Sequence, residues 1–107
     1  MKRNDTRPFL DVTLTDIDGD AIDLTTASGV NFTMKDADND VVKVNSQPCT
    51  LIDPVTNGAV RYSWTETDTN EAAAFLGEFE IIYNDTTKLT VPTQGVLTIV
   101  VLEDYNG

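Results

Sequence analysis

Histidine is absent from this chain, and cysteine occurs once, as Cys49. Without histidine there is no Ser-His or Cys-His activation, no imidazole general base and no histidine-containing zinc site. A lone cysteine forms no internal disulfide and no all-thiolate metal site. Basic residues are also scarce, 7 against 18 acids, for a formal net charge of −11. That balance excludes nucleic acid and anionic membrane as partners, because neutralising phosphates needs clustered Lys and Arg. Long apolar runs are missing as well, so no segment reads as a transmembrane helix or a signal peptide.

What is present suits a single domain. The 107 residues are 40 % hydrophobic, enough to build a core without staples. The bases are unevenly placed. Lys2, Arg3 and Arg7 fall in the first eight residues beside one acid, Asp5, which leaves four bases against seventeen acids in the rest. Residues 1–8 are read as a basic N-terminal arm, 9–103 as the folded domain and 104–107 as a C-terminal tail. The arm is expected to dock on acidic surface of a neighbouring copy and to be dispensable for the fold. With its initiator Met the sequence reads as a complete product made in the cytoplasm.

Period-two alternation dominates the body, the signature of half-buried strands. In FLDVTLT (9–15) Leu10, Val12 and Leu14 share a face; in VNFTMK (30–35) Val30, Phe32 and Met34 do. GAVRYSWT (58–65) aligns Val60, Tyr62 and Trp64, and GEFEIIYN (77–84) aligns Phe79, Ile81 and Tyr83. VLTIVVL (96–102) is apolar on both faces, as expected of a central strand. AIDLT, DVVKVN, CTLID and KLTV add shorter candidates, and Gly, Pro, Asn and Asp punctuate the intervals. TDTNEAAAFL (67–76), with its capping residues, alanine run and following Gly77, predicts one short helix near residues 68–76. The expected fold is all-β: an antiparallel, immunoglobulin-like β-sandwich of seven to nine strands. Phe32, Tyr62, Trp64 and Phe79 are expected in its core, with Cys49 a small buried apolar residue. Phe9 and Tyr105 break the alternation and are candidate contact residues.

Two acidic clusters stand out. TDIDGDAIDL carries Asp16, Asp18 and Asp20 at alternate positions, and KDADND carries Asp36, Asp38 and Asp40. Calcium takes six to eight oxygens and is the one metal these loops leave open as a cofactor. An EF-hand is excluded. Counting from Asp16, the glycine and closing-glutamate positions hold Ala21 and Ala27; counting from Asp36, they hold Val41 and Gln47. The competing reading makes both clusters hairpin tips, where Asp and Asn tolerate left-handed backbone and bond their own chain. The turn reading is preferred. Paired carboxylates also serve glycoside hydrolysis, but Glu66 with Asp68, and Glu78 with Glu80, lie on a turn and a solvent face with no cleft implied. No enzymatic activity is expected.

The order DIDGDAIDLT (16–25), VNFTM (30–34), GAVRYSWTETDT (58–69), LGEFEI (76–81) and VPTQGVLTIVV (91–101) resembles the immunoglobulin-like N-terminal domain of tailed-phage upper baseplate proteins. The resemblance spans residues 9 to 102. It implies a non-enzymatic virion structural protein at the tail or baseplate, made in the host cytoplasm, whose partners are other virion proteins in an oligomer or larger assembly. That family's domain usually opens a longer chain that carries receptor-binding proteins. A copy ending at Gly107 is therefore expected to act through its own surfaces, with Lys2, Arg3, Arg7, Phe9 and Tyr105 as contact residues. The second reading is an adhesion or decoration module that binds host surface glycan with calcium assistance.

Overall fold

The structure, a computed structural model, describes residues 1–92 and 97–103. Eight strands are formed among them: β1 (Leu10–Thr13), β2 (Ala27–Asp36), β3 (Val42–Pro48), β4 (Thr50–Leu51), β5 (Ala59–Tyr62), β6 (Ala73–Tyr83), β7 (Lys88–Val91) and β8 (Leu97–Val101). They make two antiparallel sheets packed as a sandwich. One has the order β1-β5-β4; the other runs β3-β2-β6, with β7 and β8 sharing the far edge of the long strand β6. The chain changes sheet between β3 and β4, at Cys49, whose amide donates to Val30 O at 2.8 Å.

The alternation seen in sequence becomes the inner faces. Val30, Phe32 and Met34 from β2 and Phe75, Phe79 and Ile81 from β6 are buried, opposite Val60 and Tyr62 of β5. Phe32 is the hinge of the core. Its ring lies 4.9 Å from Tyr62, 5.0 Å from Phe79 and 5.9 Å from Trp64, the last edge-on. Rings offset or tilted at these separations attract beyond the area they bury, and here they join the two sheets.

Four expectations are corrected. Residues 67–76 hold no helix; among the described residues the helical element is a single 3-10 turn at Val55–Asn57. The polar residues 65–69 form turns, and the alanines enter β6, which pairs with β2 on one side and with β8 on the other. Alanine's helix propensity is a few tenths of a kcal/mol per residue. Here it yields to the period-two burial of Phe75, Gly77, Phe79 and Ile81. Gly77 is therefore mid-strand, not a helix stop. A Cβ there would stand 2.8 Å from Ile99 Cδ1 and 2.9 Å from Phe32 Cε1, so the missing side chain makes room for the Phe32 ring.

The third correction concerns β8. Its two apolar faces do not make it central: it pairs with β6 alone among the named strands, and Val100 on its outer face is exposed. Its end is bridged instead by the N-terminus, in a short parallel contact of Lys2 with Leu102. Residues 1–5 are accordingly no free arm. Leu102 N donates to Met1 O and Arg3 N to Leu102 O, both at 2.7 Å, and Asn4 N donates to Thr69 O at 2.8 Å.

Candidate functional site

The aspartate clusters sit at two chain reversals, each built around its first member. Asp16 Oδ1 accepts from the amides of Asp18 at 2.9 Å and Asp20 at 3.0 Å, and Asp16 N donates to Asp20 O at 2.8 Å. Gly19 takes a φ of +85° inside that loop, and a Thr15–Ala21 bridge closes it. Asp36 repeats the arrangement at the β2–β3 turn, with Oδ1 accepting from Asp38 N at 2.8 Å and Asn39 N at 3.0 Å. Asp40, at φ +60°, completes the reversal and pairs with Lys35 at 2.6 Å. That hydrogen bond, with the ammonium's charge, holds the Asp40 carboxyl below the usual range and raises Lys35.

Asp36 is buried, whereas Asp16, Asp18, Asp20, Asp38 and Asp40 are exposed. Among the described residues no three acidic or thiol groups converge where a metal ion could be held. Each leading carboxylate is engaged by backbone amides instead, the Asx-turn use of aspartate.

The predicted contact residues are placed unequally. Arg3 reaches Glu103 at 3.3 Å, and Lys2 is half-buried, its amide donating to Asp5 Oδ2 at 3.2 Å. Arg7 is exposed, with its guanidinium 5.4 Å from the centre of the half-buried Phe9 ring. Arg61 lies 4.8 Å from the same centre. The β1–β5 register sets Asp11 opposite Arg61, and the guanidinium forks onto the carboxylate at 2.7 and 3.0 Å. That bidentate hydrogen bond lowers the Asp11 pKa and raises that of Arg61. Phe9 is thus a platform for two arginines rather than an open ring. Tyr105, with the tail 104–107, lies outside the described residues.

Asp68 has a structural partner that no spacing rule pointed to. It is buried, and its Oδ2 accepts from the Tyr62 hydroxyl at 2.7 Å and from Thr65 N at 2.9 Å. Burial, then the hydrogen bond to Asp68, pushes the Tyr62 phenol well above its ordinary range. Thr69, fully buried beside it, donates through Oγ1 to Asp5 O at 2.8 Å. Asp68 therefore pins the turn before β6, and Glu66 is exposed on the same turn. Glu80 pairs with Lys88 at 4.0 Å on the outer sheet face, with Glu78 exposed nearby.

The clefts carry little converging chemistry. One of about 480 Å³ lies at the β6–β7 turn, lined by Thr26, Tyr83, Asn84, Asp85 and Thr87, with the Asp85 carboxylate taken by Thr87. Another, of about 260 Å³, is apolar and lies between Phe9, Trp64 and β8. Cys49 is half-buried, and desolvation pushes its thiol up to about 12, which leaves it a packing residue. A feature the sequence reading missed is apolar surface: Val41, Val42, Val100 and Leu102 are all exposed. A signal for it was available in VVK (41–43) and VVL (100–102), where consecutive apolar residues cannot all face the core. Comparison with family models, curated proteins and solved structures gives no significant match.

Proposed function

We propose that the chain is a non-enzymatic structural component of a phage virion, associated with the tail or baseplate, and that it works by protein–protein contact. The observation that carries this reading is how the surface groups are used. Several carboxylates are engaged in turns and ion pairs, while Val42, Val100 and Leu102 stand exposed at the five-stranded sheet and its edge. Such a surface suits a flat contact with another protein better than a small-molecule cleft with converging polar groups. The resemblance of the motif order to upper baseplate domains is what supports the virion and tail part of this reading.

Gold-labelled antibody against the chain, applied to purified particles of the parent phage under the electron microscope, tests it. Label at the tail or baseplate is the expected result. Label confined to the head would move the protein to a decoration role and favour glycan adhesion. Absence of label from all particles would overturn the virion reading.

A further inference from the structure

Where β1, an edge strand of its sheet, comes alongside β8 of the other sheet, the sandwich keeps an apolar groove of about 260 Å³. Phe9, Leu10, Trp64, Ile99 and Val100 line it, with Thr98 the polar side chain among them. Trp64 and Ile99 are buried, and Phe9 and Leu10 are half-buried. The groove is therefore a place where core lining reaches solvent, not a chance grouping of exposed residues. A concave site lined in this way seats an apolar side chain of a ligand.

The charge at its rim gives the chemistry of the occupant. Acids outnumber bases 18 to 7, and Arg3, Lys35, Lys43, Arg61 and Lys88 each pair with an acid of the chain. Arg7 is exposed and pairs with no acid among the described residues. Its guanidinium lies 5.4 Å from the centre of the Phe9 ring, the same ring that lines the groove. Arg61, the second guanidinium on that ring, is already taken up by Asp11. A guanidinium held against an aromatic ring keeps its fork of donors open for a carboxylate. The net charge of −11 repels a polyanion at longer range. One carboxylate beside one apolar side chain is what this corner complements.

We propose that the groove between Phe9, Trp64 and β8 docks an acidic peptide segment of a partner protein, with one apolar side chain entering the groove and a neighbouring aspartate or glutamate pairing with Arg7. The proposal rests on the reading that the protein acts by protein–protein contact, and it gives the partner's chemistry. It is tested on the purified full chain with synthetic peptides of equal length, blocked at both ends. One carries leucine between aspartates, another leucine between lysines, and a third glycine between aspartates. Trp64 is the chain's single tryptophan, so its fluorescence reads the groove directly. Saturable binding of the first peptide is expected, at least about tenfold tighter than the other two. Arg7→Glu should weaken it about fivefold or more and leave the melting temperature unchanged, since the side chain is exposed. Amide shifts of the unsubstituted chain locate the contact without any variant, at Phe9, Ile99 and Val100.

Absence of saturable binding, equal binding of the lysine peptide, or indifference to Arg7→Glu overturns the proposal. So does a Trp64 signal that changes with protein concentration alone, since the groove is then filled by a second copy. Particle labelling is read separately. A labelled protein that ignores the acidic peptide loses this docking site and keeps the virion reading; one that binds the peptide but labels no particle loses the virion reading alone.

Discussion

The Tyr62 hydroxyl donates to Asp68 Oδ2 at 2.7 Å, tying the end of β5 to the turn that launches β6. Both residues are buried, and the same oxygen takes the Thr65 amide. Removing the hydroxyl in Tyr62→Phe keeps the ring against Phe32 but deletes a donor from a buried carboxylate, at a cost of about 1–3 kcal/mol. Because folding raises the phenol's pKa above its ordinary 10.0, this group's contribution is complete below pH 10 and is lost as pH rises through the folded value. Urea midpoints should therefore fall for the wild type above pH 10, and less steeply for Tyr62→Phe. Equal alkaline slopes in the two proteins would count against the assignment.

Two glycines should resist substitution for different reasons. At Gly77 an added methyl meets Ile99 and the Phe32 ring within 3 Å, so Gly77→Ala overpacks the core, at a cost of about 1–3 kcal/mol. At Gly58 the obstacle is backbone: φ is +69°, and a Cβ would stand 2.7 Å from Ile22 O and 2.8 Å from Leu14 O. Carbonyls cannot swing aside as a side chain can, so Gly58→Ala should destabilise more than Gly77→Ala. Thermal or urea unfolding of the two variants ranks them directly.

The first five residues should matter to stability. Deleting them removes the Met1 and Arg3 bonds to Leu102 and leaves the buried Thr69 hydroxyl without Asp5 O. A loss of about 2 kcal/mol or more is expected, since one stranded buried hydroxyl alone costs about 1–3 kcal/mol. An unchanged unfolding midpoint after the truncation would show that these contacts are dispensable.

The acidic loops should behave as turns of unequal weight. Melting curves in millimolar calcium and in chelator should superimpose, because the carboxylates of Asp16 and Asp36 already hold backbone amides. Asp36→Ala, at a buried position with two amides to satisfy, should cost about 1–3 kcal/mol. Asp18→Ala, on an exposed loop, should stay within about 0.5 kcal/mol. A calcium-dependent rise in melting temperature that Asp18→Ala abolishes would restore the metal reading.

Much of this molecule was legible because burial in a sheet writes a period of two into the chain. Val30, Phe32 and Met34, or Val60, Tyr62 and Trp64, declare a core face wherever they pair, and all six are buried. The aspartate turns were legible for a similar local reason: a carboxylate two to four residues from an amide needs no distant partner to form its bond. The alanine segment misled because its signal was also local. Helix propensity over 67–76 ignored two neighbouring strands that only the folded chain brings alongside β6.

What the sequence by itself determined is the class of fold, the residues of the core and the absence of histidine chemistry, all matters of composition and short-range pattern. Only the tertiary structure decided which partners lie far apart along the chain: Met1 and Arg3 with Leu102, Arg61 with Asp11, Tyr62 with Asp68, and Val42 in one row with Leu76. Those pairings depend on sheet order and register, which arise from the summed packing of both sheets. No single segment carries them, so the edge that receives the N-terminus appears only once the sandwich is closed.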